Sequence, residues 1–150
     1  MSGMKFREIK ENKKQFLSLL LLADEQENMI DRYLEKGTMY VLDDNGVKAE
    51  CVVTDEGDGI LEIKNIATVP EYQGNRYAKN LIDFIVKEYA DKYSVLQVGT
   101  GDSPLTVPFY EKCGFVRSHI IPNFFTNNYD HPIFECGVKL TDMVIFQRNL

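Results

Sequence analysis

A chain of 150 residues, 44% apolar and 27% charged, has the length and mixture of one ordinary globular domain and is too apolar to stay disordered. Its net charge of -6 argues against nucleic acid or an anionic membrane surface as partner, since both select clustered Lys and Arg; a cationic substrate suits it better. The longest apolar run, Phe16 to Ala23, contains Ser18 and is far too short to span a bilayer. Cys51, Cys113 and Cys136 are odd in number and spaced for neither a metal site nor a disulfide framework, so they read as reduced packing thiols of a cytoplasmic protein. The start, Met1-Ser2-Gly3-Met4, reads as a cloning scar before a native Met4 and is left out of the fold argument.

In chain order, Lys5 to Lys10 is a short alternating strand, and Asn12 to Leu22 is helical. A second helix is expected over Glu25 to Leu34, with Met29, Ile30, Tyr33 and Leu34 as its buried stripe and Gly37 as its stop. Strands at Thr38 to Leu42 and Val47 to Thr54 flank Asp44-Asn45-Gly46, a hairpin signal because Asn and Gly tolerate positive φ. After the turn at Glu56-Gly57-Asp58-Gly59 comes a long strand, Ile60 to Val69. Strict alternation would put Leu61, Ile63, Asn65 and Ala67 on one face and Glu62 and Lys64 on the other.

Ala78, Leu81, Ile82, Ile85, Val86 and Tyr89 mark an amphipathic helix over Arg76 to Ala90. A strand follows at Val95 to Gly99. A short helix is expected over Val107 to Cys113, with Thr106 as N-cap, Pro108 in its first turn and Gly114 closing it. Strands at Phe115 to Ile121 and Leu140 to Gln147 enclose a polar, aromatic loop from Pro122 to Val138. That loop is long enough to be functional, either as part of an acceptor pocket or as an aromatic-anchored surface and homodimer contact. The alternation of strands and helices predicts a mixed α/β sheet with helices on both faces.

Two segments carry chemistry. Between the long strand and the amphipathic helix lies Gln73-Gly74-Asn75-Arg76-Tyr77-Ala78-Lys79. A strand feeding a glycine turn and then a helix makes an anion site, because backbone N–H groups at a helix start are unpaired and the helix dipole favours negative charge. The glycine spacing matches neither a GxxxxGK[ST] phosphate loop nor a GxGxxG dinucleotide loop. The second segment is Ser103-Pro104-Leu105-Thr106-Val107-Pro108-Phe109-Tyr110-Glu111-Lys112-Cys113-Gly114-Phe115.

The first segment, with Asn65 to Gln73 before it and Leu81 after it, resembles the Q/R-x-x-G-x-G/A acetyl-CoA motif of the GNAT N-acetyltransferase superfamily. Arg76 stands where its middle glycine is usual, and a helical φ is expected there. The second segment resembles the family's N-x-x-A-x-x-L/F-Y-x-K-x-G-F, with Ser103 in place of Asn and Thr106 in place of Ala. The resemblance implies an α/β domain over residues 1–150, with a mostly antiparallel sheet of about six to seven strands flanked by about four helices. It implies acetyl-CoA as cosubstrate without a metal. The backbone of Ile66, Ala67 and Thr68 would hold the pantetheine arm, Gln73 to Lys79 and Ser103 would bind the cofactor, and Tyr110 would act as general acid.

Acetyl transfer to a primary amine, that of a small molecule here, needs a neutral nucleophile, donors for the oxyanion and a proton for the departing thiolate. Glu62 is the candidate base. His131 and Asp142 are weaker candidates, Asp142 for orienting a cationic acceptor. The departures at Arg76 and Ser103 keep a second reading open, a non-catalytic CoA-sensing or interaction module.

Overall fold

The computed structural model describes residues 3–150, so Met1 and Ser2 of the leading tetrapeptide lie outside the described residues. The hairpin read at Asp44-Asn45-Gly46 forms between β2 (Thr38–Asp43) and β3 (Val47–Asp55). Asn45 and Gly46 take φ of 56° and 107°, and the Asp43 carboxylate accepts the Gly46 N–H at 3.0 Å. β1 (Lys5–Ile9) pairs with β2, and β4 (Ile60–Thr68) pairs with β3. The amphipathic helix, α3 (Tyr77–Tyr89), carries the chain to β5 (Val95–Gly101), which lies parallel to β4. β9 (Met143–Asn149) and β6 (Val116–Ile121) complete a seven-stranded sheet of order β1-β2-β3-β4-β5-β9-β6, antiparallel except at β4–β5.

Both faces are covered. α3 lays Leu81, Ile82 and Ile85 on Leu42, Cys51, Val53, Leu61 and Ile63, and α4 (Val107–Lys112) adds Tyr110 to that core. The other face packs Leu20, Ile30, Tyr33 and Leu34 on Met39, Val41 and Val52. Among the described residues no helix is long and apolar enough to cross a membrane.

Several expected elements change shape. The first helix opens as a 3₁₀ turn, Lys13–Phe16, before α1 (Leu17–Ala23). The second is a single turn, α2 (Glu27–Ile30), followed by tight turns to Lys36. There Arg32 N donates to Met29 O and Tyr33 N to Ile30 O, the tighter i→i+3 pattern. Tyr33 and Leu34 are buried as read. Gly37 stops the segment for reasons of space, since a Cβ there would meet Tyr33 O at 2.8 Å and Val53 O at 3.0 Å. The loop over 122–138 contains α5 (Phe124–Asn128) and a ribbon of β7 (Phe134–Glu135) and β8 (Val138–Lys139), folded over a small core of Phe125, Ile133 and Leu140. The last strand therefore starts three residues later than read and runs on to Asn149.

The long strand does not alternate throughout. The β3–β4 register slips so that Val52 faces Asn65 while Val53 faces Ile63, which leaves Lys64 as the extra residue of a bulge. Leu61 and Ile63 stay in the α3-side core. Asn65 turns to the opposite face, where its amide meets Leu20 O and the Tyr33 hydroxyl. Glu62 pairs with Thr54 and Asn65 with Val52, two positions on one face of β3. The bulge thus puts Glu62 and Asn65 on the same face, against the alternation read from sequence.

Candidate active site

Parallel pairing of β4 and β5 runs from Ile60–Val95 to Ile63–Val98 and stops there, although the strands continue to Thr68 and Gly101. The bulge at Lys64 redirects β4 while β5 stays with β9. The strands splay and open a cleft of about 1340 Å³, with Ile66, Ala67 and Thr68 on one wall and Gly99, Thr100 and Gly101 on the other. Past the bulge, the backbone groups of β4 that point away from β3 have no strand to pair with.

The anion loop sits at the cleft mouth. A 3₁₀ turn at Pro70–Tyr72 leads to Gly74, with φ 88°, and Arg76, with φ 64° and ψ 18°. Arg76 is left-handed, not helical as expected. It takes the conformation that a glycine adopts freely and a side chain adopts at roughly 1–2 kcal/mol. That residue is the N-cap of α3 and makes no side-chain cap bond. Asn80 N to Arg76 O, at 2.9 Å, is the first bond of the helix, so the N–H groups of Tyr77, Ala78 and Lys79 have no partner within it. A Cβ at Gly74 would meet nothing within 4 Å, so its φ, and not space, selects glycine there.

Gln73, Gly74, Arg76, Tyr77, Ala78 and Lys79 all line the cleft. Asn75 and Ser103, both expected at the cofactor, do not. Asn75 is exposed and donates to Tyr72 O at 3.0 Å. Ser103 is 2% exposed, and its Oγ accepts the Leu105 N–H at 3.1 Å, which shapes the turn before α4.

α4 begins after Thr106 as read, but the Thr106 hydroxyl bonds that of Thr100 at 2.7 Å and leaves its own helix uncapped. Gly114, with φ 90°, closes the helix, and Phe115 N donates to Tyr110 O at 3.1 Å. The Tyr110 ring packs on Phe109, Phe115 and Phe146 with centroids at 5.2, 5.8 and 6.3 Å. Its side chain lines the cleft, and none of the described residues hydrogen-bonds its hydroxyl. Burial raises its pKa above the ordinary tyrosine range, so it holds its proton at neutral pH.

Glu62 also lines the cleft, with both oxygens engaged: Gln97 Nε2 donates to Oε1, and Lys64 Nζ lies 2.6 Å from Oε2. Gln147 Nε2 holds Gln97 in turn at 2.8 Å. His131 stands at the rim between Asp130, at 2.6 Å, and Glu25, at 2.8 Å, and these carboxylates raise its pKa. Asp142 lies outside the cleft lining and accepts the Asn123 N–H at 2.8 Å, so it does not face an acceptor. Among the described residues no group of three or more His, Cys, Asp and Glu is placed to hold a metal ion.

One cluster escaped the sequence reading. The Asp24 carboxylate accepts the Tyr33 hydroxyl at 2.9 Å and the Tyr129 hydroxyl at 2.6 Å. Burial pushes the Asp24 pKa up while those hydrogen bonds oppose the shift. Its members are separated by up to 105 positions, and helical periodicity marks Tyr33 only as a core residue. No local pattern announces the cluster.

A family model for the acetyltransferase (GNAT) domain matches residues 35–117. An uncharacterised N-acetyltransferase of Bacillus subtilis strain 168, YvbK, is 34% identical over 137 residues, which are 89% of this chain and 88% of the relative. Among solved structures, a GNAT family acetyltransferase from Elizabethkingia anophelis with acetyl-CoA bound has a TM-score of 0.93 and 31% identity, covering 99% of both chains. An IAA acetyltransferase from Bacillus cereus has a TM-score of 0.90 and 33% identity, covering 99% of this chain and 100% of its own. A Bacillus subtilis acetyltransferase in complex with CoA has a TM-score of 0.88 and 31% identity, covering 99% of both. Splayed parallel strands, a glycine turn leading into the helix that joins them and a fold shared end to end agree with the sequence match: the chain belongs to the GNAT family of acetyltransferases.

Proposed function

We propose that the protein moves the acetyl group of acetyl-CoA to the primary amine of a small molecule by direct attack, with Tyr110 as general acid toward the sulfur. The observation that carries this reading is the gap where β4 and β5 part. Its open backbone edge, the outward groups of Ile66 and Thr68 on either side of Ala67, which pairs with β3, suits a pantetheine arm lying as an added strand, with N–H groups available to polarise the thioester carbonyl. The unpaired N–H groups of Tyr77, Ala78 and Lys79, beside Gln73, Gly74 and Arg76, suit the pyrophosphate. Asn75 and Ser103 support this loop and the α4 turn from outside the cleft. The ligands named for the Elizabethkingia and Bacillus subtilis relatives support acetyl-CoA as donor.

A thioester is already activated, so positioning and proton handling supply the catalysis. Tyr110 lines the cleft, its hydroxyl keeps its proton, and it has no bond to the described residues that it would have to break before donating. Glu62 contributes negative charge to the cleft wall. With Lys64 and Gln97 on its oxygens, attraction of the amine fits it better than direct proton abstraction.

A thiol assay with acetyl-CoA and a panel of small primary amines tests the proposal. The expected result is amine-dependent release of free CoA with an equal yield of acetylated amine by mass spectrometry. Thiol release that is the same without amine, from protein shown to bind acetyl-CoA, would refute transfer to these acceptors.

A further inference from the structure

Asn65 is 2% exposed, and what it donates fixes its orientation. Nδ2 gives its two hydrogens to Leu20 O and the Tyr33 hydroxyl, both at 3.0 Å. A flipped amide would set Oδ1 against the Leu20 carbonyl, acceptor on acceptor. Oδ1 is therefore the free end, buried and without a partner among the described residues, in a residue that lines the cleft. A buried polar atom left unpaired is costly, so this one asks for a ligand. Next to it, the Tyr33 hydrogen goes to Asp24 Oδ2 and the Tyr129 hydrogen to Asp24 Oδ1. Every side-chain hydrogen in the cluster is thus used within the protein. What remains for a ligand is acceptors only: Asn65 Oδ1 and the spare lone pairs of Asp24. A group that satisfies both carries more than one N–H and is favoured by positive charge.

Resting on the acetyl-transfer reading above, we propose that Asp24 and Asn65 bind the acceptor's nitrogen, that Asp24 ion-pairs with it as an ammonium and takes one proton, and that alkylamines are thereby selected over arylamines. One N–H bond of the ammonium breaks, its electron pair stays on nitrogen, and the proton moves to the Asp24 carboxylate. The neutral amine then holds the pair that attacks the thioester. Arylamines are already neutral at physiological pH and do not need this step. Asp24 is half-buried, with Arg32 on its own side and Glu25 and His131 at the rim, and Glu50 lies behind Tyr33, fully buried. Burial raises the Asp24 pKa, which brings it closer to that of the amine and makes the carboxylate a better proton acceptor.

The test compares benzylamine with aniline, two acceptors of similar size that differ in charge. For Asp24→Asn we expect kcat/KM for benzylamine to fall about 100-fold at neutral pH, within the range for losing a positioned base. The loss should shrink as pH rises toward the amine's own pKa, while the aniline rate stays near that of the parent. Calorimetry of benzylammonium with the CoA-loaded protein should show binding that Asp24→Asn and Asn65→Ala both lose. If Asp24→Asn does not fold, Asn65→Ala and the parent's preference for benzylamine carry the test. Equal losses for both amines, no loss for benzylamine, or a parent that neither binds nor acetylates benzylamine would overturn the proposal. A parent that does not bind acetyl-CoA would instead sink the acetyl-transfer reading.

Discussion

Replacing Tyr110 with Phe removes one oxygen and leaves the ring that packs on Phe109, Phe115 and Phe146. The hydroxyl makes no hydrogen bond to the described residues, so no buried partner is orphaned and removing it should not lower stability. Acetyl-CoA affinity should hold as well, because the loop and strand edge proposed to bind it are untouched. The chemical step should slow by about 10- to 1000-fold, which corresponds to roughly 1.4–4 kcal/mol of lost transition-state stabilisation. The assay is single-turnover acetyl transfer in rapid quench, since slow product release can mask the step in kcat. Because burial keeps the parent Tyr110 protonated, the ratio of parent to variant should stay flat as pH rises through neutrality. A Phe variant that matches the parent in single turnover makes Tyr110 a packing residue only. A change confined to KM would mean uniform binding and no help in the transition state.

Gly74→Asp should weaken acetyl-CoA binding in a calorimetric titration by placing a carboxylate beside the proposed pyrophosphate site at a positive φ; unchanged affinity would put the phosphates elsewhere. Arg76→Gly should raise stability to denaturant by up to about 1 kcal/mol, since glycine relieves the left-handed φ but enlarges the freedom of the unfolded chain; a loss above that size would mean that the Arg76 side chain does structural service. Glu50 is fully buried, neither of its carboxyl oxygens has a partner among the described residues, and burial raises its pKa well above the carboxylate range. A raised folded pKa gives a contribution that is full below the unfolded pKa and lost as pH rises through the folded one. Parent stability should therefore fall by about 1.4 kcal/mol per pH unit across that interval. Glu50→Gln should abolish this slope and be the more stable protein at neutral pH by chemical denaturation; the same slope in both would show that Glu50 has a partner after all.

The hairpin, the amphipathic helix and the bounds of α4 follow from local signals that survive packing: Asn45-Gly46, the Leu81–Ile82–Ile85 stripe, Pro108 and Gly114, although the Thr106 hydroxyl turns to Thr100 and caps nothing. What escaped sequence reading depends on distant contacts. A single extra residue, Lys64, reverses the face of everything after it on β4, and nothing in Ile63-Lys64-Asn65 announces the bulge. Arg76 reads as a helix start because arginine favours helix, yet the turn from Gly74 into α3 forces it left-handed. Over 25–36 the apolar stripe was legible, but the tight turn was not, because buried Lys13 donates to the carbonyls of Leu34 and Gly37 at 2.8 and 2.7 Å from more than 20 residues away. The loop and Tyr110 were legible through the two motifs. Asp24 was not, because it sits at α1's exit while its partners come from the turn after α2 and the loop after α5.

Backbone hydrogen exchange with and without acetyl-CoA tests directly, residue by residue, whether the cofactor lies in the gap between β4 and β5 with its phosphates on the start of α3. Protection should rise at Ile66 and Thr68, whose N–H groups point away from β3, and at Tyr77, Ala78 and Lys79, while Ala67, already paired to β3, and the hairpin of β2 and β3 stay as they were. Protection that appears elsewhere, or none at these five positions from protein that demonstrably binds acetyl-CoA, would contradict that placement.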